Sequence, residues 1–183
     1  MNDEQRVIEG DAPRGPVRRI VLTGFMGSGK STVGPLVARK LGWRFVDVDD
    51  VIEAEAGMAI GAIFAERGEA SFREHERATI ARLAAEDGLV LSLGGGAIEN
   101  PTTRELLREG AGTLLVHLEV SLATTLERCR GSEGTRPVLA DAANLAARYE
   151  RRLPLYRTAH VSIAVDALSP RKVAEAVVRA AGL

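Results

Sequence analysis

Lysine is almost absent from this 183-residue chain. Lys30, Lys40 and Lys172 are the only three, so the positive charge is nearly all arginine. Arginine suits bidentate binding of carboxylate and phosphate, but so general a bias marks no site by itself. An excess of charge of either sign is also missing. The formal net charge is -1, which argues against a general nucleic-acid surface. The single cysteine, Cys129, excludes an internal disulfide and fits a reducing compartment. No apolar run approaches transmembrane length, and no signal-peptide core opens the chain. There is no internal repeat and no low-complexity tract. The chain therefore reads as cytoplasmic, with neither membrane nor nucleic acid as partner, and its length suits one domain with a real core.

What is present begins with Ile20, Val21 and Leu22, a short apolar run leading into Gly24-Phe25-Met26-Gly27-Ser28-Gly29-Lys30-Ser31. This is G-x-x-x-x-G-K-[ST], the phosphate-binding loop, with a strand before it and an amphipathic helix expected over 30–41. A polyanionic phosphate needs several backbone N–H groups aimed at one point, and glycines allow that approach. The helix adds the positive end of its dipole. Gly27, Ser28, Gly29, Lys30, Ser31 and Thr32 are the candidate nucleotide contacts. Lys30 is placed on the β- and γ-phosphates and Ser31 on Mg²⁺.

The remaining chain alternates apolar strands with helices. Residues 1–17 are polar, carry Gly10, Pro13, Gly15 and Pro16, and read as a mobile leader, with a single domain over 18–183. A second strand over 43–46 ends in Asp47-Val48-Asp49-Asp50 and is followed by a helix over 51–56. Gly57 stops that helix. Two further helices, 59–67 and 69–86, are separated by Gly68. A buried strand over 89–93 runs into Gly94-Gly95-Gly96. Pro101 starts a helix to 108, a fourth strand covers 113–118, and a helix covers 122–130. A glycine-rich polar segment over 131–137 breaks the pattern. A helix over 142–152 stops before Pro154, a fifth strand covers 161–165, and Ser169-Pro170 opens the last helix. Strand–helix alternation predicts an α/β fold with a five-stranded parallel sheet covered on both faces. Ligands bind such sheets beyond the carboxyl ends of the strands. The phosphate loop, the Asp47/Asp49 pair and the triple glycine therefore converge.

Two more absences narrow the class. The strand before Gly94 lacks the terminal acidic residue that many ATPases use for Mg²⁺, so the metal partner moves to Asp47 or Asp49. Two residues apart on a strand end, these would project to one face, one assisting the metal and the other facing the acceptor; the alternative is that both cap the next helix. No N-K-x-D motif is present, which disfavours a GTPase switch. Arg73 and Glu76, one helical turn apart, can pair; alone they would read as a solvated surface pair.

Together these motifs resemble the shikimate kinase family. The resemblance rests on 24–32, Phe45-Val46-Asp47-Val48-Asp49 with Ile52-Glu53, Phe72-Arg73-x-x-Glu76, Gly94-Gly95-Gly96, Thr135-Arg136-Pro137 and Arg151-Arg152-Leu153-Pro154-Leu155-Tyr156. It runs from about residue 18 to the C-terminus. It implies transfer of the ATP γ-phosphoryl to the 3-hydroxyl of shikimate in aromatic amino-acid biosynthesis, a phosphate-loop kinase fold with sheet order 2-3-1-4-5, and a monomer. Substrate-binding helices are implied within about 49–93 and a lid over about 130–141. Arg73 and Arg152 resemble the carboxylate-binding arginines, and Glu76 the group that orients Arg73. Asp49 resembles the residue that binds ring hydroxyls and positions the nucleophile, Asp47 the Mg²⁺ carboxylate, and Arg136 the lid arginine that reaches the γ-phosphate. The backbone of Gly94, Gly95 and Gly96 is expected near the transferred group. Phe64 and Phe72 either wall the substrate ring or pack as core. Adenine is implied to sit between Pro170 and an arginine, Arg128 or Arg130, of which Arg130 is preferred. The alternatives are a sugar-acid kinase of the gluconate type and a nucleotide-binding regulatory module with no acceptor.

Overall fold

The computed structural model describes residues 7–130 and 142–183, and the order of elements along it is that of an alternating α/β protein. The strands are β1 (Val7–Glu9), β2 (Arg19–Thr23), β3 (Arg44–Asp47), β4 (Leu89–Ser92), β5 (Thr113–Glu119) and β6 (Val161–Ala164). The helices are α1 (Lys30–Leu41), α2 (Val48–Ala56), α3 (Ile60–Leu83), α4 (Pro101–Glu109), α5 (Leu122–Arg128), α6 (Ala142–Tyr156) and α7 (Pro170–Ala180), with a 3₁₀ turn at Ala97–Glu99. From one edge the sheet runs β3-β4-β2-β5-β6-β1. The five strands expected from the sequence are parallel, in the expected order 2-3-1-4-5.

The sixth strand is a correction. Val7–Glu9, inside the predicted leader, pairs antiparallel with β6, and Gly10 N–H donates to His160 O at 2.7 Å. A three-residue strand has no period to read, while the open edge of β6 offers it a complete ladder.

The centre of the sheet forms the core. Ile20, Val21, Leu22, Val90, Leu91, Leu114, Leu115 and Val116 are buried, as continuous apolar runs require in a parallel sheet covered on both faces. Start signals are local. Asn100 and Ser121 cap α4 and α5 with their side chains, Ser169 caps α7, and Pro101 and Pro170 occupy first helical positions. In α3, Gly68 departs from helical geometry (φ 79°, ψ 166°) and divides the helix into the two arms read from the sequence.

Two boundaries differ from the sequence reading. Helix α2 begins at Val48, directly on the end of β3, because Asp47 accepts a hydrogen bond from Asp49 N–H and caps it there. Helix α6 runs through Pro154 to Tyr156. Near a helix end a proline removes one hydrogen bond and need not stop the helix. This carries Tyr156 onto the face of Arg152, one turn away. Among the described residues no helix is long and apolar enough to cross a membrane.

Strand register then builds the site. Leu22 and Asp47 both stand opposite Ser92, and Thr23 stands opposite His117. The carboxyl ends of β2, β3, β4 and β5 are thus abreast. The loops and helix that leave β2, β3 and β4 open on one crevice.

Candidate active site

The crevice, of about 730 Å³, is lined by Met26, Gly27, Ser28, Gly29, Lys30, Ser31 and Thr32, by Asp47 and Asp49, by Gly94, Gly95 and Arg152, and on its other wall by Arg128, Cys129, Leu168 and Pro170. Its floor is the phosphate loop, which joins β2 to α1. Glycine is required at its first position: at Gly24 (φ 147°) a Cβ would lie 2.6 Å from Leu118 O. Lys30 Nζ folds back on the loop, donating to Gly24 O at 2.7 Å, Phe25 O at 3.3 Å and Ser28 Oγ at 3.3 Å. A cation held above a helix N-terminus by neutral carbonyls is poised to exchange them for phosphate oxygens.

Ser31 Oγ donates to Asp47 Oδ2 at 3.3 Å, while Asp47 Oδ1 caps α2. Asp47 thus caps the helix, as one of the sequence alternatives had it, and at the same time faces the loop hydroxyl. The expectation that Asp47 and Asp49 share a strand end is corrected: Asp47 ends β3, and Asp49 lies in the first turn of α2. Both still face the crevice, because the cap leaves no loop between strand and helix.

Asp49 sits in an anionic, desolvated corner. Burial, then repulsion from Asp47 and Glu76, pushes its pKa up to about 6 against the pull of Lys30. Its Oδ1 is buried without a hydrogen-bond partner. Glu76, 3% exposed, is also raised, with burial outweighing the attraction of Arg73 and Arg152. Its Oε2 accepts from Arg73 Nη1 at 2.7 Å, and its Oε1 has no partner. A carboxyl that titrates near neutrality beside a phosphate loop is suited to accepting a proton from a bound hydroxyl.

The triple glycine is where these groups meet. A Cβ on Gly94 would lie 2.8 Å from Asp49 Oδ1 and 3.1 Å from Glu76 Oε1. One on Gly96 would lie 2.5 Å from Arg73 Nη2, and one on Gly95 would lie 3.5 Å from Arg152 Nη1. Three consecutive residues thus back onto four functional side chains, Asp49, Glu76, Arg152 and Arg73. Arg73 is held from below as well: its guanidinium carbon lies 5.1 Å from the Phe72 ring centre and 6.0 Å from that of Phe64. The two rings pack 4.6 Å apart, and Phe72 is buried in the core. Neither ring lines the crevice, so core packing is the better description of Phe72. Arg152, 6% exposed, donates from Nη2 to Glu99 Oε2 at 3.0 Å and leaves a buried Nε unpartnered.

On the wall of the crevice that carries Leu168 and Pro170 stands Arg128. Its Nη1 donates to Gly27 O at 3.0 Å and its Nη2 to Val165 O at 3.2 Å. Arg130, preferred from the sequence, is exposed beyond the end of α5 and does not line the crevice. The helix ends at Arg128, so the direction of a residue two places later cannot be read from the helical period. Pro170 faces the same wall. Arg136 and residues 131–141 of the expected lid lie outside the described residues.

Two residues of the site carried no role in the sequence reading. Glu99 binds both Arg151 and Arg152, and Tyr156 donates from its hydroxyl to Gly95 O at 2.6 Å. The four-residue spacing from Arg152 to Tyr156 signals their shared face only once the helix is continued through Pro154.

Comparison with known proteins gives the family. The family model for shikimate kinase matches residues 26–181. The shikimate kinase of Salinibacter ruber is 42% identical over 159 residues, covering 81% of this chain and 77% of its own. That of Chlorobium chlorochromatii is 44% identical over 159 residues, covering 81% and 82%. Among solved structures, the shikimate kinase of Acinetobacter baumannii in complex with shikimate superposes with a TM-score of 0.82 at 34% identity, covering 89% of this chain and 92% of that one. With the phosphate loop, Asp49, Gly94, Gly95 and Arg152 lining one crevice, and Arg73 and Glu76 set behind Gly96 and Gly94 outside that lining, the chain belongs to the shikimate kinase family.

Proposed function

We propose that the crevice transfers the γ-phosphoryl group of ATP to the 3-hydroxyl of shikimate, giving shikimate 3-phosphate and ADP in aromatic amino-acid biosynthesis. The observation that carries this reading is the juxtaposition across Gly94, Gly95 and Gly96 of a buried carboxyl, Asp49, with two arginines, Arg73 and Arg152. Nucleotide binding alone needs none of them. An acceptor bearing both a carboxylate and hydroxyls needs all three.

Gly27, Ser28, Gly29, Lys30, Ser31 and Thr32 hold the phosphates, and Lys30 exchanges the Gly24 and Phe25 carbonyls for β- and γ-oxygens. Ser31 and Asp47 would hold Mg²⁺. Their 3.3 Å hydroxyl–carboxylate pair at the start of α1 suits a hard cation that keeps most of its waters, and the described residues contain no cluster of three His, Cys, Asp or Glu. When bound, the ion neutralises charge on the transferring phosphoryl group. Arg73, aimed by Glu76, and Arg152, aimed by Glu99, grip the substrate carboxylate. Asp49 holds the 3-hydroxyl and accepts its proton. Arg128 and Pro170 flank the adenine, and Arg136 completes the site from the lid, assigned to about 130–141. The enzyme works as a cytoplasmic monomer.

The test is a coupled ADP-release assay with shikimate, quinate and gluconate side by side. Shikimate should be preferred. Preference for gluconate would reassign the site to a sugar-acid kinase, and ATP consumption insensitive to every acceptor would reduce it to a nucleotide-binding module.

A further inference from the structure

We infer that Tyr156 is a positioning residue for the reaction: its hydroxyl fixes the peptide between Gly95 and Gly96 in one orientation at the acceptor end of the crevice. Two adjacent glycines have no Cβ to resist rotation of the peptide that joins them. The Tyr156 hydroxyl removes that freedom by donating to Gly95 O at 2.6 Å. Among the described residues no peptide is cis, and a trans peptide directs its N–H opposite to its C=O. The grip therefore turns Gly96 N–H away from Tyr156. No backbone hydrogen bond among the described residues uses the N–H of Gly95 or Gly96.

The ring that delivers the hydroxyl is itself fixed. Tyr156 is 1% exposed and stacks on His117, with centroids 5.1 Å apart and planes at 19°. His117 Nδ1 lies 3.2 Å from Ser162 Oγ. Burial, more than any charge, pushes the Tyr156 hydroxyl up to about 12, so it remains an O–H donor at any working pH. Burial likewise pushes His117 down to about 4, so the stack is neutral. Arg152 Nη1 stands beside the same glycine as the Tyr156 hydroxyl, the two lying 3.5 and 3.6 Å from where a Cβ on Gly95 would be. One turn of α6 therefore couples a proposed carboxylate-binding arginine to the glycine peptide. A helix ended before Pro154 would supply the arginine without the anchor.

This inference rests on the acceptor-side placement of the triple glycine proposed above, and the experiment separates the two. Tyr156→Phe keeps the ring and its stack and removes only the hydroxyl. The KM for shikimate should rise about tenfold while the KM for ATP stays within about twofold, as expected for loss of one buried hydrogen bond on the acceptor side. The Gly96 amide resonance of the full chain should shift and exchange faster with solvent. An unchanged KM for shikimate, or a parallel rise of both KM values with a lowered Tm, would mean a merely structural hydroxyl and overturn the inference. Arg73→Ala, measured alongside, assigns the failure. If it raises the KM for shikimate and Tyr156→Phe does not, only the role of Tyr156 is lost. If it leaves that KM unchanged, the acceptor-side placement falls and the inference with it.

Discussion

Arg73 and Glu76 are joined one helical turn apart, Nη1 to Oε2 at 2.7 Å, and the glutamate is the more deeply buried of the two, its side chain 4% exposed against 29%. A surface ion pair of this spacing is worth little. Here the buried carboxylate instead fixes which edge of the guanidinium remains for a ligand. Glu76→Ala should therefore raise the KM for shikimate by about 10- to 100-fold, the effect expected when one partner of a desolvated charge pair is removed. The KM for ATP should scarcely move. Steady-state kinetics with each substrate varied decide it, and equal changes in the two would return the pair to an ordinary structural role.

Asp49 gives a pH prediction with a definite sign. Its pKa is raised from 3.8 to about 6, first by burial and then by Asp47 and Glu76. The folded state binds this proton more tightly than the unfolded chain does. The carboxyl therefore contributes stability below pH 3.8, and that contribution is lost as pH rises through about 6. Its chemistry runs the other way, because only the ionised form accepts a proton. Turnover should fall as pH drops below about 6. Asp49→Asn should raise Tm at pH 8, by roughly 2–4 °C per kcal/mol of relieved repulsion, with no gain at pH 4. It should also cut kcat by at least about 10²-fold. Melting curves at the two pH values check the first half, and a Tm gain equal at both would remove the charge argument.

What the sequence disclosed and what it withheld divide along physical lines. The phosphate loop was legible because its chemistry demands fixed residue types at fixed spacing. Sheet order followed from the resemblance rather than from periodicity, which says nothing of which strand lies beside which. The short edge strand Val7–Glu9 was not legible, since three residues carry no period and its pairing depends on the open edge of β6. Arg128 and Arg130 could not be separated because they differ only in where α5 ends. Arg19, the first residue of β2, carries no motif that marks it. It is 5% exposed and ties together Glu86 O, Ala111 O, Thr113 Oγ1 and Asp87. Such a buried cation is recognised by its partners, all at least 67 residues distant in sequence.

Lys30 tests the loop itself. Its ammonium is held by Gly24 O and Phe25 O. Lys30→Met removes that charge while keeping a flexible apolar stem. Turnover should drop by at least about 10²- to 10³-fold, the range for loss of a group that stabilises transition-state charge. Shikimate binding, followed by calorimetry without ATP, should persist. Wild-type turnover in this variant would rule out the phosphate-loop mechanism.

Gly96→Ala separates the site from the fold most sharply. The backbone at Gly96 (φ −93°, ψ −14°) is one that alanine adopts freely, so the substitution introduces no backbone strain. The added Cβ would, however, lie 2.5, 2.7 and 2.8 Å from Nη2, Nη1 and Cζ of Arg73. These atoms end a flexible side chain, so the guanidinium moves rather than the core. To move it must leave Glu76 Oε2 or tilt off the Phe72 ring. Stability should change by no more than about 1 kcal/mol, read by thermal melting. The KM for shikimate should approach that of Glu76→Ala, and the double variant should add little, because both changes displace the same guanidinium. Full additivity of the two in a double-mutant cycle would show that Gly96 acts on the substrate independently of Arg73.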